Sequence, residues 1–232
     1  MEKSELSRRS LLLVLGGLLA AGCSPLTAAP TGAAAAKDSI KNSAPLPLVP
    51  VKAPQGREVA TLAGGCFWSM QTMFSQLKGV DKVISGYSGG SIPSPSYQAV
   101  CTGTTGHAEA LQIVFDPKVI SYEDLLHIFF TTHDPTTLNR QGADQGTQYR
   151  SAIFVQNDRQ KGAAEKVIKA VNKEKLWSDP IVTEVTTYRN FYAAEAYHQD
   201  YYTKNPGEGY CTMVIAPKVL KFRKKYQDRL KA

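Results

Sequence analysis

The sequence has no pattern typical of a metal or nucleotide cofactor. Its 232 residues include four cysteines, and no two of them stand at C-x-x-C spacing. This excludes a zinc ribbon and a thioredoxin-type redox motif. A phosphate-binding glycine motif is also absent. We therefore expect a protein that needs no metal, nucleotide or flavin, and whose chemistry depends on its own side chains.

The apolar run near the start of the chain is too short for a transmembrane helix, which needs about 20 apolar residues. It covers residues 11–21, follows the pair Arg8-Arg9 and ends in Leu-Ala-Ala-Gly before Cys23. We predict an export signal over residues 1–22, with a twin-arginine or general secretion route. The final string resembles the lipobox of bacterial lipoproteins, which implies that Cys23 is lipidated. An ordinary cleavable signal is the alternative.

Residues 24–56 contain no aromatic residue and are rich in Ala, Pro, Ser and Thr. Such a segment buries too little apolar surface to offset the entropy of ordering, so we predict a flexible tether over residues 23–56. With a lipidated Cys23, the protein would be anchored in the bacterial cell envelope and face the periplasm or the exterior.

The chain carries a basic excess, with 27 Lys and Arg against 20 Asp and Glu. Part of it lies in residues 218–231, where no aromatic platform or nucleic-acid motif accompanies the charges. We interpret this run as a solvated basic helix and expect no nucleic-acid partner.

Residues 57–232 are predicted to form one catalytic domain. Alternating apolar residues predict strands at 58–63, 80–87, 109–115, 151–155 and 181–188. Helical periodicity predicts a helix from residue 66, a second after a capping box at residues 121–124, and a third capped by Asp158. The order βαββαβ, with an added αβ and a tail, favours an α+β fold. We expect a two-layer sandwich with a ferredoxin-like split βαβ core, a mostly antiparallel sheet and a wrapping C-terminal segment.

The string Gly64-Gly65-Cys66-Phe67-Trp68 lies between a predicted strand and a predicted helix. Two glycines allow a sharp turn, and the positive end of a helix favours a thiolate, the nucleophilic form of cysteine. The neighbouring aromatics could form a pocket for a thioether-like methyl group. An isolated cysteine here would be interpreted as a small buried hydrophobic residue, but these aromatics favour a reactive Cys66.

A second string places His107 and Glu109 on the same side of a predicted strand as Leu111 and Ile113. A carboxyl group on an apolar face favours its neutral form and can then donate a proton. If the strand begins only at Ala110, Glu109 is exposed instead, and the sequence does not decide between these alternatives. Two further strings, at residues 144–151 and 205–211, indicate a polar loop entering a strand and a flexible turn presenting a cysteine.

These strings together resemble the peptide-methionine sulfoxide reductase A family. The match rests on Gly-Cys-Phe-Trp at residues 65–68, Gly-His-Ala-Glu at 106–109 and Gly-Thr-Gln-Tyr-Arg-Ser at 146–151, and it covers residues 57–211. The resemblance implies that Cys66 is the nucleophile and that Phe67 and Trp68 form the methyl pocket.

The resemblance also assigns the remaining site residues. It implies that Glu109 is the acid that polarises the sulfoxide oxygen, that Tyr97 and Tyr149 donate hydrogen bonds to that oxygen, and that Asp144 assists substrate positioning. Cys211 matches a resolving cysteine, and the chain has no further cysteine after it.

The resemblance gives no catalytic role to two further residues of the second string. We expect His107 to serve packing and hydrogen bonding, and Cys101 to be buried and not required for chemistry.

The activity implied is reduction of the S epimer of methionine sulfoxide, free or in oxidised proteins, by attack of the Cys66 thiolate. Cys66 would become a sulfenic acid and then form a disulfide with Cys211. An external thiol would regenerate the enzyme, either a thioredoxin-like protein or dithiothreitol in vitro. We expect a monomer. The rival interpretations are a cysteine acyl-transferase that uses Cys66 with His107, and a non-catalytic lipoprotein that binds methionine-rich partners.

Overall fold

The computed structural model of the protein describes residues 52–232. The predicted export signal, the lipobox with Cys23 and the tether up to residue 51 lie outside the described residues. Among residues 52–232, no helix combines the length and the apolar character needed to cross a bilayer.

The described chain forms eight strands and six α-helices. In chain order these are β1 (Glu58–Gly64), α1 (Phe67–Ser75), β2 (Val80–Ser88), α2 (Tyr97–Cys101), β3 (Ala108–Phe115), α3 (Tyr122–Thr132), β4 (Arg140–Gln141), β5 (Asp144–Gln145), β6 (Ser151–Val155), α4 (Asp158–Lys173), β7 (Glu184–Thr187), β8 (Phe191–Ala193), α5 (Tyr201–Lys204) and α6 (Ala216–Lys225).

Six strands form one sheet in the order β7-β6-β1-β3-β2-β8, and β4 pairs with β5 in a separate small ribbon. The four central strands β6, β1, β3 and β2 run antiparallel to one another, and β7 pairs in parallel with β6. The central order β6-β1-β3-β2 is that of a split βαβ core, in which α1 and α3 connect strands that are not adjacent. The predicted α+β sandwich with a mostly antiparallel sheet is therefore confirmed.

The sheet is covered on both faces at its centre, and nearly every residue of β1 and β3 is buried. One face carries aliphatic side chains such as Leu62 and Leu111, which oppose each other across the β1–β3 pair and pack under the helices. The other face holds a smaller cluster that includes Ala110 and Phe154, closed by Phe191 of β8. The segment after residue 190 therefore contributes β8, an edge strand of the sheet, and also covers part of the sheet face.

Helix starts follow the predicted capping chemistry with one shift. Ser121 and Asp124 form the predicted capping box at the start of α3, which satisfies two backbone N–H groups. At α4 the cap is Asn157, whose side chain accepts from the Gln160 N–H, so the prediction that Asp158 is the cap was wrong by one residue.

Candidate functional site

Cys66 lies at the junction between β1 and α1, where its residue is the N-cap of the helix. The preceding Gly65 has a φ of +87°, and a Cβ there would overlap the Gln141 side chain. Only glycine fits both conditions without strain. The chain therefore turns sharply out of the sheet and presents Cys66, which is 6% exposed, at the open end of α1.

The expectation that the helix start favours a Cys66 thiolate is wrong for the resting site. Burial, followed by the nearby carboxyl groups of Glu109 and Asp144, raises the pKa of the Cys66 thiol to about 12. Hydrogen bonds from Ser69 and from the Tyr210 hydroxyl lower it, but they do not offset the loss of water. Desolvation of the sulfur anion is the largest cause of this shift. Cys66 therefore rests as a thiol.

Glu109 lies inside β3, which begins at Ala108, and only 2% of it is exposed. The alternative of an exposed residue before the strand is thereby excluded. Its Oε2 atom accepts the backbone N–H of Phe67 at 3.0 Å, so the carboxyl group sits against the first turn of α1. Burial raises the pKa of Glu109 to about 8, although the Phe67 hydrogen bond opposes this shift. The carboxyl group is therefore mainly protonated at neutral pH and can donate a proton.

The hydroxyl groups of Tyr97 and Tyr149 belong to the same cluster. Burial raises the pKa of both, and the charges of Glu109, Asp144 and Cys66 contribute to the shift in each case. The two phenols therefore stay protonated and keep an O–H that can act as a hydrogen-bond donor. Tyr97 begins α2, and Tyr149 lies in a short turn just before β6, so elements distant in the chain meet around Cys66.

Asp144 is also brought to this cluster, by the small β4–β5 ribbon, where 4% of it is exposed. Its carboxylate accepts the Tyr210 hydroxyl at 2.6 Å. Burial raises the pKa of Asp144, while the Tyr210 hydrogen bond and the charge of Lys218 lower it. Tyr210 also hydrogen-bonds to Cys66, so its hydroxyl connects the sulfur with the carboxylate.

Sequence reasoning missed Tyr210, which received no role although it directly precedes Cys211. The signal available was an aromatic residue next to a cysteine that already carried a predicted function. Its contact with Asp144 spans 66 residues and is set by the tertiary fold, so no local pattern indicates it.

The aromatic residues after Cys66 are held by side chains from the segment after β8. The Trp68 indole N–H donates to His198 Nδ1 at 3.0 Å, and the Trp68 ring stacks on Tyr201 with centroids 3.8 Å apart. Phe67 is 1% exposed and packs against Tyr87 and His198. Burial lowers the pKa of His198 to about 3, so this ring is neutral and can accept the indole N–H. The pair is thus rigidly oriented beside the sulfur.

Cys211 is not presented by a flexible turn as predicted. The stretch from Asn205 to Glu208 is a turn, but Cys211 begins a π-helical segment, Cys211–Ile215, that continues into α6. Cys211 is buried, and burial together with the charge of Glu208 raises the pKa of its thiol. This helical segment is held in place because Ile215, and Val219 and Phe222 of α6, bury apolar side chains in the core. Cys66 and Cys211 are both free thiols in this state.

Cys101, at the end of α2, and His107, just before β3, lie outside the cluster. Cys101 is half-buried, not buried as expected. His107 Nδ1 accepts the Gly90 N–H at 3.2 Å, and its Nε2 lies 2.8 Å from the Ile92 carbonyl oxygen. Both ring nitrogens are thus engaged by backbone, as expected for a packing role. This arrangement disfavours the acyl-transferase in which His107 activates Cys66.

Within residues 52–232, no group of three or more His, Cys, Asp or Glu side chains is placed to bind a metal ion. The cluster instead combines a buried thiol with a neutral carboxyl group and hydroxyl donors. Such a set can transfer an oxygen atom to sulfur while hydrogen-bond donors stabilise the charge that develops on that oxygen.

Comparison with known proteins agrees with this chemistry. The family model described as "Peptide methionine sulfoxide reductase" matches residues 58–230. The chain is 54% identical over 184 residues to peptide methionine sulfoxide reductase MsrA 1 of Rhodopirellula baltica, covering 79% of this chain and 95% of the relative. It is 54% identical over 175 residues to MsrA of Deinococcus radiodurans, covering 75% and 85% of the two chains.

Solved structures give the same result. The reduced form of Mxr1 from Saccharomyces cerevisiae superposes with a TM-score of 0.63 at 38% identity, covering 69% of this chain and 92% of that one. Methionine sulfoxide reductase A of Corynebacterium diphtheriae gives a TM-score of 0.58 at 33% identity, covering 66% and 77%. The chain therefore belongs to the peptide methionine sulfoxide reductase family and is a peptide-methionine (S)-S-oxide reductase, an oxidoreductase.

Proposed function

We propose that Cys66 reduces methionine sulfoxide by direct attack of its sulfur on the sulfoxide sulfur, with Glu109 as the acid. The observation that carries this proposal is the contact between a neutral, buried Glu109 and the first turn of α1, next to the thiol. A carboxyl group with a pKa of about 8 can both deliver and accept a proton near neutral pH. Substrates are the free amino acid oxide and oxidised proteins.

The chemical step balances without an outside proton. Glu109 protonates the sulfoxide oxygen as the Cys66 sulfur bonds to the sulfoxide sulfur, and the thiol proton returns to Glu109. The oxygen then transfers to Cys66, methionine leaves, and Cys66 becomes a sulfenic acid. The substrate sulfur gains two electrons and the cysteine sulfur loses two.

Two contacts lower the cost of forming the nucleophile. A protonated Glu109 removes one of the negative charges that raise the Cys66 pKa, and the hydrogen bond between Cys66 and Tyr210 lowers that pKa. The hydroxyls of Tyr97 and Tyr149 would stabilise the sulfoxide oxygen as its negative charge grows. Asp144 would orient the substrate through its contact with Tyr210.

The methyl group of the substrate would lie against Phe67 and Trp68. Their rings are fixed by His198 and Tyr201, which keeps an apolar surface beside the sulfur. Contacts between a thioether-like group and aromatic rings are favourable and depend on ring orientation.

Regeneration would use Cys211, whose thiol attacks the Cys66 sulfenic acid, releasing water and forming a disulfide. Both thiols are free in this state, so the two sulfurs must approach to about 2.05 Å, with Cys211 in its π-helical turn. Such single-turn π segments occur frequently at functional sites. A thioredoxin-like protein, or dithiothreitol in vitro, would then reduce the disulfide by thiol exchange.

The activity test uses a peptide with racemic methionine sulfoxide, purified protein and dithiothreitol, followed by chiral analysis of the remaining oxide. We expect the S epimer to disappear and the R epimer to persist. Equal loss of both epimers, or ester hydrolysis without sulfoxide reduction, would contradict the proposal.

We further propose that Cys23 is lipidated and anchors the enzyme in the cell envelope. The support is the lipobox-like string and the apolar run that precedes it. Several acyl chains would give stable membrane attachment. Cys23→Ser should release the protein into the soluble fraction, with Ser24→Ala as the matched control.

Mass spectrometry of the N-terminal peptide separates two uses of the Cys23 sulfur. A diacylglyceryl thioether supports the anchor. A disulfide-linked peptide containing Cys23 and Cys101, or unchanged membrane fractionation of Cys23→Ser, contradicts it.

A further inference from the structure

A groove of about 430 Å³ runs beside α6, outside the cluster around Cys66. Three lysines line it, Lys218, Lys221 and Lys225. Their spacing of three and four residues places them on one face of the helix. The seven-residue step from Lys218 to Lys225 covers about 10 Å along the helix, which is the length of about three residues of extended peptide.

The rest of the groove lining combines apolar with polar side chains. It includes Trp177 and Leu176, and Leu176 is 44% exposed. The Trp177 indole N–H donates to the Phe130 carbonyl at 3.0 Å, which fixes the ring. The groove therefore pairs a row of cations with a rigid apolar surface, a combination suited to a peptide that carries both acidic and apolar side chains.

The positive charge of the groove is largely uncompensated. Asp134 is the carboxylate in the lining, and it accepts hydrogen bonds from the Thr136 N–H and hydroxyl. Among residues 52–232, none of the three lysines forms an ion pair with an acidic side chain. Lys225 lies near the Tyr226 ring, with its Nζ 5.6 Å from the ring centroid.

The groove is continuous with the structure that holds Cys66. Gln141 lines the groove and also packs where Gly65 has no Cβ, directly before Cys66. Lys218, at one end of the row, lowers the pKa of Asp144, which belongs to the cluster. A polypeptide with its sulfoxide at Cys66 could therefore extend along α6.

We propose that this groove binds an acidic segment of the oxidised polypeptide substrate, with Asp or Glu close in sequence to the methionine sulfoxide. The inference rests on the proposed function, because it assigns the flanking part of the same substrate. Free methionine sulfoxide does not reach the groove. Its turnover is therefore independent of the lysines.

The test compares the full-length protein with Lys221→Glu/Lys225→Glu, and with Lys169→Glu/Lys224→Glu as a control. The control makes the same charge change at exposed lysines outside the groove lining. Substrates are N-acetyl-methionine-(S)-sulfoxide amide and peptides whose sulfoxide is flanked, on either side, by Glu or by Lys. The readout is kcat/KM with dithiothreitol at low salt.

In the wild type and the control, we expect the Glu peptides to exceed the Lys peptides by about fivefold, because two exposed ion pairs each contribute modestly. The groove variant should remove or reverse this preference and leave the acetylated amide unchanged. High salt should reduce the wild-type preference as well.

Three results would overturn the assignment. The wild type could show no preference, the groove variant could keep it, or the variant could lose turnover only when a thioredoxin-like protein replaces dithiothreitol, which would identify the groove as a reductant site. Failure of the proposed function is distinguishable, because the wild type would then not reduce the acetylated amide either.

Discussion

The Glu109→Gln substitution removes proton delivery while it preserves the hydrogen bond to Phe67 and the packing of the side chain. The amide is nearly the same size, and its oxygen can still accept the Phe67 N–H that Glu109 accepts at 3.0 Å. With a pKa of about 8, the wild-type carboxyl group is mainly protonated at pH 7. General acid catalysis typically contributes 10²–10⁴-fold, so we expect the single-turnover rate to fall by at least about 100-fold, or about 2.7 kcal/mol.

The pH dependence gives a second signature of the same residue. Because the acid form of Glu109 is present below its pKa, the wild-type rate should decline as pH rises through about 8. The variant should lack that decline. Its Cys66 should be alkylated faster than wild type at pH 9, because the carboxylate that raises the Cys66 pKa is gone.

Stability measurements distinguish misfolding of the Glu109→Gln variant from a direct effect of the substitution on catalysis. A carboxyl group whose folded pKa is raised contributes stability that is present below its ordinary pKa of 4.5 and is lost as pH rises through about 8. Glu109→Gln should therefore unfold at a Tm equal to or above that of wild type at pH 8.5. A correctly folded variant with a single-turnover rate within twofold of wild type would remove Glu109 from the acid role.

Other variants test the remaining contacts. Cys66→Ser should abolish reduction, whereas Cys101→Ser should keep most activity because Cys101 lies outside the cluster; wild-type turnover by Cys66→Ser would refute the mechanism. Tyr210→Phe should slow single turnover about tenfold and raise the Cys66 pKa measured by alkylation, since one charge-assisted hydrogen bond is lost. Gly65→Ala should lower stability by about 1–3 kcal/mol in denaturant titrations, because a φ of +87° and the Gln141 contact both oppose a Cβ; an unchanged midpoint would contradict this reasoning.

The sequence predicts the sheet well because its central strands carry unambiguous local signals. The apolar runs at β1 and β6 and the capping box at Ser121 agree with the structure to within a residue or two. α2 was missed because its five residues lie in a segment rich in Ser and Pro. Ser96 caps it, and the Glu195 carboxylate from a distant segment accepts the Tyr97 N–H.

The sequence predicts only part of the site. The residues around Cys66 could be named from strings that resemble one family, but the resting state of the thiol could not. Its pKa depends on Glu109 and Asp144, which approach through tertiary folding, and on a degree of burial that no local pattern reports. The helical conformation at Cys211 could not be predicted from the sequence for a related reason. The glycine-containing turn precedes it, while the packing that stabilises its helix comes from later residues of α6.

A single turnover without reductant tests directly whether Cys66 carries the oxidising equivalents. The protein would be mixed with one equivalent of a methionine-(S)-sulfoxide peptide, quenched with an alkylating reagent and mapped by mass spectrometry. We predict one methionine formed per chain, loss of the two thiols that are free in the resting structure, and a disulfide-linked peptide containing Cys66 and Cys211. A trapped sulfenic acid on Cys66 with an intact Cys211 thiol would show that Cys211 is structural. Methionine formed while Cys66 remains a free thiol would contradict the mechanism itself.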